Sequence, residues 1–343
     1  MNLFNFFLFS SIVLMFLSNN WVVIWVLLEV TSMCLVILLS EKMTPRSVEA
    51  VLKYFIMQAI GGLFLLFGVI VRLYFCNSVS VLSFYNESSY ILILLGLFIK
   101  LAVFPNPFWV IDVVSGISVS RGFYVLVASK IIPLYLYITL INNSFLWTLI
   151  GVGVFSTAFG VLLGVNQLSV RKLLAFSSVG HVGWMVAVFP SMNVSSCFLV
   201  FVLYILNISP IFFWSLYYEL EDVNKTKNVY HNFLVVFVLV VSLLSLAGLP
   251  PLAGFFYKWV MFNALVLNKL YLVSGVLILL NLISLFFYLN ICKFFYLVYL
   301  PLLRFNVYSN AIIGVGNGVV VLLNGIILLA LWFIGPFSSL CYI

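Results

Sequence analysis

The sequence predicts an all-α protein that crosses a membrane about eleven times, with two of its spans interrupted. Two properties of the composition lead to this fold class: 66% of the 343 residues are hydrophobic and only 7% are charged. A soluble domain carries about 25% charged residues, and no soluble core could bury this much apolar surface. The third observation is that prolines occur in pairs, at 105–107 and 250–251, inside otherwise continuous apolar runs.

Apolar runs long enough to span a bilayer follow one another along the chain. A spanning helix needs about 20 apolar residues, within a range of about 17 to 25. The predicted spans are roughly 3–18, 21–40, 51–75, 90–115, 121–141, 145–164, 167–189, 194–218, 232–267, 271–299 and 310–333. The longest polar stretch, 217–232, is too short for a soluble domain. The sequence therefore predicts a single transmembrane domain over 1–343.

The fourth and ninth predicted spans contain residues that interrupt a helix. Proline lacks a backbone N–H and clashes with the preceding helical turn. Pro105 and Pro107 interrupt the fourth span, and Pro250 and Pro251 interrupt the ninth. Because backbone groups freed in this way need water or protein partners inside a membrane, we expect a hydrated kink in the fourth span and two half-helices in the ninth.

The two interrupted spans lie five spans apart. Because five is an odd number, spans at corresponding positions of the two halves cross the membrane in opposite directions. Interruptions at corresponding positions of two halves are typical of inverted-repeat transporters. The sequence therefore predicts a first repeat over 1–141 (helices 1–5), a second over 145–299 (helices 6–10) and an additional helix 11 over 310–333. This division depends on the interruptions, because the halves show no sequence identity by eye.

Basic residues of the predicted loops lie mainly on one side of the membrane. With eleven spans, one side collects Lys42, Arg46, Arg121, Arg171, Lys172, Lys225, Lys227 and Arg304, whereas the other collects Arg72 and Lys269. Loops on the cytoplasmic or matrix side carry an excess of Lys and Arg. We therefore expect the N-terminus on that side and the C-terminus on the opposite side.

Four ionisable residues fall well inside apolar spans, namely Glu29, Lys100, Lys130 and Lys258. A charge at the membrane centre costs roughly 2.5–3.5 kcal/mol, so we expect these side chains to face the bundle interior or internal water. Ionisable residues at such positions usually mark ion pathways, and structural ion pairs are the alternative. Lys53 and Lys293 differ because they lie near helix ends, where a lysine can extend to the interface.

Lysine suits a proton relay because burial disfavours its charged form while a nearby carboxylate favours it. We expect Lys100 and Glu29 to lie within ion-pair or one-water distance. We also expect Lys100, Lys130 and Lys258 to form a hydrated chain at mid-depth.

His181 lies in the middle of the seventh predicted span, with Ser177 and Ser178 one turn away. Histidine exchanges protons near neutral pH, so His181 is a further relay candidate. A purely structural, hydrogen-bonded histidine is the alternative.

Sequence patterns for nucleotide, metal or redox cofactors are missing. There is no Walker loop, and "GVGNG" at 314–318 lies in an apolar span. The cysteines, Cys34, Cys76, Cys197, Cys292 and Cys341, are scattered without metal-ligand spacing. Moving one charge against a potential requires about 2.3 kcal/mol per 100 mV. The energy must therefore come from an ion gradient or from a partner.

Several motifs together resemble one family. They are "GLPPLAGFFYKW" (248–259), "NQLSVRKLLAFSSVGHVGWM" (166–185), "EAVLKYFIMQA" (49–59), "WVLLEV" (25–30) and "KLAVFPNPFWVIDV" (100–113). In their order along the chain they resemble the antiporter-like membrane subunits of respiratory complex I, specifically the NADH dehydrogenase subunit 2 family. The resemblance covers nearly the whole chain and implies a fold shared with Mrp-type cation/proton antiporters.

The resemblance implies a core membrane-arm subunit of the proton-translocating NADH:ubiquinone oxidoreductase, in the mitochondrial inner membrane. It implies that electron transfer in partner subunits drives proton movement through buried Glu and Lys and internal water. NADH, FMN, iron–sulfur clusters and ubiquinone are expected in partner subunits, with no cofactor or metal in this chain. Expected partners are other membrane-arm subunits, including neighbouring antiporter-like ones, and bilayer lipids, with cardiolipin as a candidate. Nucleic acid is not expected.

The resemblance also implies roles for single residues. Glu29 and Lys100 correspond to the family's glutamate–lysine pair, Lys130 to its central lysine and Lys258 to the lysine of the second broken helix. The chain departs from the family at Pro107, where relatives often have histidine, and at Asp112, where they have glutamate. The full family repeat has three more helices at the front, and the resemblance implies that this chain lacks them, as is typical of animal mitochondrial members. A free-standing cation/proton antiporter and a structural membrane subunit remain the alternative functions.

Overall fold

Helices account for almost all of the chain that this computed structural model describes. The described residues are 2–40, 44–78, 80–81, 86–141, 145–167, 169–217, 233–250 and 252–299. They divide between two compact units, Met1–Ser156 and Thr157–Ile343.

The first unit is a bundle of helices with one interrupted span. It contains α1 (Asn2–Leu17), α2 (Trp21–Leu39), α3 (Pro45–Cys76), α4 (Glu87–Leu101), α5 (Phe108–Gly116), α6 (Val119–Phe123), a π-helical turn (Tyr124–Ala128), α7 (Ser129–Thr139) and the beginning of α8 (Leu146–Gly164). The π-turn falls inside the predicted fifth span, and such turns often occur at functional sites.

The long helix α3 begins at a capping box. The Thr44 hydroxyl accepts a hydrogen bond from the Ser47 N–H, and the Ser47 hydroxyl accepts one from the Thr44 N–H. Pro45 occupies the first helical position, where a missing N–H is harmless. At 1.5 Å per residue the 32 residues of α3 extend about 48 Å, well beyond a hydrocarbon core of about 30 Å.

Glycines let α3 and α4 approach each other closely. A Cβ atom added at Gly96 of α4 would lie 2.8 Å from the Gly61 carbonyl oxygen and 2.9 Å from the Leu65 nitrogen of α3. At Gly68 an added Cβ would lie 3.0 Å from the Ile93 nitrogen. Small residues at helix interfaces permit this packing in membranes, and it fixes α4 against α3 along the segment that leads to Lys100.

The predicted interruption of the fourth span is present. Helix α4 ends at Leu101, Ala102 adopts a left-handed conformation with φ 56°, and α5 begins at Phe108. The Phe104–Pro105 peptide bond is cis. The Ile99 carbonyl at the end of α4 accepts hydrogen bonds from the Ala102 backbone N–H at 3.2 Å and from the Trp109 indole N–H at 3.1 Å, so a side chain of the next half-helix is bonded to the end of α4.

The second unit is centred on α9. It contains the end of α8, α9 (Val170–Val188), a 3₁₀ turn (Phe189–Ser191), α10 (Val194–Tyr217), α11 (Phe233–Ala247), α12 (Ala253–Leu267) and α13 (Tyr271–Tyr299). All residues of α9 except Arg171 and Lys172 are buried, as expected for a helix surrounded by others. At Gly160 of α8 an added Cβ would lie 2.6 Å from the Gly180 nitrogen of α9.

The ninth predicted span also consists of two half-helices, as the sequence predicts. Helix α11 ends at Ala247, Gly248 has φ +87°, and α12 begins at Ala253. The two half-helices pack very closely, because a Cβ added at Gly254 would lie 1.4 Å from the Ser245 carbonyl oxygen. Only glycine fits at position 254.

The first ten predicted spans each coincide with a helix or a pair of half-helices. Seven helical stretches in the described residues are long and apolar enough to cross a membrane, and Leu3–Leu17, Phe237–Ala247 and Ala253–Leu267 are apolar but shorter. The eleventh span (310–333) and the polar loop 217–231, apart from residue 217, lie outside the described residues. The count of eleven is therefore not confirmed, and the division into repeats 1–141 and 145–299 remains a prediction.

Candidate functional site

Lys100 and Glu29 form an ion pair inside the first unit. Lys100 lies in the last turn of α4 and is 1% exposed, and its Nζ donates to Glu29 Oε1 of α2 at 3.0 Å. The Glu29 side chain is 23% exposed, and the Ser32 hydroxyl donates to its other oxygen at 3.4 Å. The ion pair predicted from the sequence is present.

Two consecutive glycines of α3 make room for this pair. A Cβ added at Gly62 would lie 2.0 Å from Glu29 Oε1, and one added at Gly61 would lie 2.8 Å from Lys100 Cγ. The Trp25 indole N–H donates to the Gly62 carbonyl at 3.0 Å, which holds α2 against α3 one turn before Glu29. The Glu29 carboxylate thus occupies the space that a side chain at position 62 would fill.

Lys130 lies in α7, directly after the π-helical turn, and is 1% exposed. The Ser129 hydroxyl donates to the Val125 carbonyl at 2.6 Å, so a side chain bonds a backbone oxygen of the π-turn. The structure places Lys130 in the interior of the first unit, as predicted. The hydrated chain predicted for the three lysines remains a prediction.

Lys258 lies in α12, just after the second interruption, and is buried. Its Nζ donates to the Leu246 carbonyl at 2.9 Å, the Ala247 carbonyl at 3.1 Å and Asn281 Oδ1 at 2.6 Å. The two carbonyls end α11, and Asn281 belongs to α13. Lys258 is therefore bound by the freed backbone of the broken helix.

His181 lies between two tyrosines in the second unit. Its Nδ1 is 3.1 Å from the Tyr257 hydroxyl, and its Nε2 is 3.3 Å from the Tyr288 hydroxyl. Ser177 and Ser178, which the sequence places one turn away, donate to carbonyls of their own helix. A histidine bonded at both nitrogens can accept a proton at one and release it at the other.

A small cavity joins His181 to Lys258. His181, Tyr288, Lys258 and Asn281 line it together with Ser177 and Ser284. Its volume is about 20 Å³, and about 10–15 Å³ is enough for one water molecule with polar partners. The cavity therefore brings two of the predicted relay residues to one polar space.

The Lys53 side chain is exposed near the beginning of α3 and has carboxylate partners. Its Nζ pairs with Glu49 Oε1 at 2.9 Å and Asp112 Oδ2 at 3.1 Å. All three side chains are substantially exposed, so this surface cluster is distinct from the buried lysines.

Sequence reasoning missed Tyr257, Tyr288 and Asn281. Tyr257 directly precedes Lys258 in "FFYKW", so that motif could have suggested it. Tyr288 lies 107 residues from His181, and Asn281 lies 23 residues from Lys258. Contacts over such separations leave no local pattern in a single sequence. Within the described residues no group of three His, Cys, Asp or Glu side chains could hold a metal ion.

The fold and the site together define a class of protein. A bundle of apolar helices with two interrupted spans, each with a buried lysine beside the interruption, is built like the ion-moving membrane proteins that have discontinuous helices.

Comparisons with known proteins agree with this class. Residues 18–287 match the family model described as NADH:quinone oxidoreductase/Mrp antiporter, TM. NADH-ubiquinone oxidoreductase chain 2 of Patiria pectinifera is 34% identical over 275 residues, which are 80% of this chain and 77% of the relative. The chain therefore belongs to the NADH:quinone oxidoreductase/Mrp antiporter family, among the relatives of NADH-ubiquinone oxidoreductase chain 2.

Solved structures share the fold. A chain of respiratory complex I from Thermus thermophilus with bound aureothin superimposes with a TM-score of 0.78 at 23% identity, covering 91% of this chain and 74% of that chain. A chain of the Mrp complex from Dietzia sp. DQ12-45-1b gives a TM-score of 0.75 at 19% identity, covering 83% of this chain and 58% of that chain. The antiporter-like fold expected from the sequence is confirmed.

Proposed function

We propose that this chain is a core membrane-arm subunit of NADH:ubiquinone oxidoreductase and translocates protons through its buried lysines. Membership of the family and relatives named NADH-ubiquinone oxidoreductase chain 2 support this function. The redox reaction takes place in partner subunits, which hold NADH, FMN, iron–sulfur clusters and ubiquinone. This chain contributes the proton-translocating part.

The ion pair of Lys100 and Glu29 is the observation that supports the proposal most directly. Lys100 is almost completely buried, whereas Glu29 is partly exposed. The carboxylate favours the charged form of the lysine, and burial in apolar surroundings disfavours it. When Glu29 takes up a proton or turns away, Lys100 loses its stabilising charge and releases its own proton. Redox-driven changes at Glu29 would in this way move a proton at Lys100.

Lys130, His181 and Lys258 are the further relay residues of the proposal. Lys130 is buried next to a π-turn. His181 bridges two phenol groups, and Lys258 shares a small polar cavity with it. Each of these groups can bind and release a proton, and none requires a cofactor in this chain.

The proposed location is the mitochondrial inner membrane, among other membrane-arm subunits that include neighbouring antiporter-like ones. Cardiolipin is the proposed lipid partner. The bias of basic residues toward one set of loops supports an N-terminus in the matrix and a C-terminus in the intermembrane space. Within the described residues, Arg46 lies in the first turn of α3 and Arg72 lies near its other end, which supports a placement of these two residues on opposite sides.

Replacement of Lys100 by methionine tests the relay. Methionine keeps most of the length and apolar character but removes the titratable group. In a genetically tractable relative with the matched lysine, we expect assembled Lys100→Met enzyme to lose most redox-coupled proton pumping. Lys100→Arg should not restore pumping, because guanidinium remains protonated. The measurement is the number of protons moved per electron in vesicles that contain the assembled enzyme.

Lys53→Met is the matched control, because Lys53 is a lysine with carboxylate partners on the exposed side of α3. It should keep the parent proton-to-electron ratio. If Lys100→Met assembles and pumps at the parent ratio, Lys100 is only a structural ion-pair partner. Purification of the chain as an active cation/proton antiporter outside any large assembly would contradict the complex I assignment.

A further inference from the structure

The three acceptors around Lys258 match the hydrogen-bonding capacity of a charged lysine. An ammonium group carries three N–H donors and no acceptor. The Leu246 carbonyl, the Ala247 carbonyl and Asn281 Oδ1 provide three oxygens within 3.1 Å of Nζ. A neutral amine has only two N–H groups, so its lone pair would face one of these oxygens. The geometry therefore fits the protonated form of Lys258.

The broken helix supplies two of the three oxygens. The last carbonyls of a helix have no partner within the helix, and they form the negative end of its dipole. The Lys258 side chain reaches these carbonyls by passing over Gly248, where an added Cβ would lie 3.1 Å from Lys258 Cδ and 3.2 Å from Nζ. The interruption thus provides two uncharged carbonyl oxygens, which carry partial negative charge and bind the ammonium group.

Asn281 supplies the third oxygen and the shortest contact, 2.6 Å. The Ser284 hydroxyl donates to the Asn281 carbonyl at 2.7 Å and approaches Oδ1 at 3.3 Å. The salt bridges within the described residues involve Lys53 and Lys100 and leave Lys258 without a carboxylate partner. The charged form of Lys258 therefore depends on neutral oxygens, among which Asn281 is the side chain.

We infer that Asn281 is a positioning residue that stabilises the protonated form of Lys258 and so sets the pH range in which this lysine carries a proton. The inference rests on the proposed function. Lys258 retains its proton while Nζ is hydrogen-bonded to the three oxygens. It releases the proton when Nζ leaves them for the adjoining cavity, where the His181 imidazole can receive it. The other titratable groups that line this space are His181 from α9 and Tyr288 from α13. Tyr204 from α10 and Tyr257 from α12 contact the His181 ring.

Two substitutions at position 281 should shift the pH profile of pumping in opposite directions. Asn281→Leu keeps the size but removes the oxygen, so the charged form of Lys258 is less stable. The alkaline limit, which is the pH above which pumping stops, should therefore fall by about one pH unit. Asn281→Asp adds a negative charge, so the alkaline limit should move up by about one pH unit. The measurement is proton pumping by the assembled enzyme against pH, in a relative that carries the matched lysine and asparagine.

Ser274→Ala is the matched control on the same helix. Ser274 is buried in α13, and its hydroxyl donates to the Tyr271 carbonyl of its own helix. Its loss should leave the pH profile unchanged. If the Asp variant fails to assemble, Asn281→Gln replaces it, because a longer amide restores an oxygen and should return the profile toward that of the parent.

The outcomes separate the inference from the proposed function. Unchanged profiles in both variants, or shifts in the same direction, would overturn the role of Asn281, as would a Gln variant that behaves like Leu. Lys258→Met is tested in parallel. If it pumps normally, the relay role of Lys258 fails. If it does not pump while the Asn281 variants keep the parent profile, only the inference about Asn281 fails.

Discussion

Two buried lysines beside interrupted helices are stabilised in different ways. Lys100 has a carboxylate partner, Glu29, whereas Lys258 has two backbone carbonyls and the amide oxygen of Asn281. A carboxylate can itself take up a proton, but carbonyl and amide oxygens cannot. The state of Lys100 can therefore be controlled by protonating its partner, whereas that of Lys258 can be controlled only by movement of the side chain or its ligands.

Gly62→Ala should disrupt the pair of Lys100 and Glu29 without changing either charge. The added methyl group would lie 2.0 Å from Glu29 Oε1, so the carboxylate must move away from Lys100. The flexible Glu29 side chain can move, so the main cost is that buried Lys100 loses its carboxylate partner. We expect a lower thermal stability of the assembled enzyme and a several-fold loss of pumping.

Gly151→Ala is the control for this prediction, because nothing lies within 4 Å of a Cβ added at Gly151 in α8. Melting temperature and pumping of both variants are compared in the assembled enzyme. If Gly62→Ala behaved like Gly151→Ala, the close fit of the carboxylate against α3 would have no functional importance.

At the scale of elements, a side-chain hydrogen bond to a backbone carbonyl connects the two half-helices of both interrupted spans. A side chain from the second half-helix returns to the end of the first: Trp109 of α5 donates to Ile99 of α4, and Lys258 of α12 donates to Leu246 and Ala247 of α11. The indole N–H is a neutral donor, whereas the ammonium group is charged and can lose a proton. The hydrogen bond across the first interruption therefore cannot change by titration, whereas those across the second depend on the protonation of Lys258.

Gly254→Ala should prevent the two half-helices of the second interruption from packing. The added Cβ would lie 1.4 Å from the Ser245 carbonyl oxygen and 2.4 Å from its carbon, and backbone atoms cannot yield as a flexible side chain can. We expect a destabilisation near the upper end of the 1–3 kcal/mol range for overpacking, about 3 kcal/mol. The subunit should then fail to accumulate in the membrane, as measured by its abundance in the assembled enzyme.

Gly275→Ala provides the comparison, because an added Cβ there meets open space on α13 and alanine favours helix. It should accumulate normally. Normal accumulation of Gly254→Ala would show that α11 and α12 pack less closely than the structure indicates.

The sequence predicted the helices better than it predicted the contacts between them. Apolar length and proline pairs located ten spans and both interruptions, because these signals are local. The pairing of Lys100 with Glu29 was also predicted, because a central charge needs a partner. The tyrosines at His181 and the amide at Lys258 were not predicted, since residues such as Tyr288 and Asn281 come into contact only through the packing of distant helices.

At the scale of the whole molecule, the proposed orientation gives a direct test. The loop 217–231 carries Lys225 and Lys227 and belongs to the set of loops rich in basic residues. We expect protease to cut this loop from the matrix side and to remain without effect from the intermembrane space in intact mitoplasts. A tag at the C-terminus should show the reverse accessibility. Cleavage of 217–231 from the outer side would overturn the orientation.

The order in which the residues that bind Lys100 and Lys258 are synthesised has a consequence for membrane insertion. Synthesis proceeds from the N-terminus, so Glu29 precedes Lys100, and Leu246 and Ala247 precede Lys258. Asn281 is added 23 residues after Lys258, and until then the ammonium group has an incomplete set of ligands at a position where a charge costs roughly 2.5–3.5 kcal/mol. A nascent chain that ends before α13 therefore lacks one of the three oxygens that bind the ammonium group, and we expect α12 to become stable in the bilayer only when α13 packs against it.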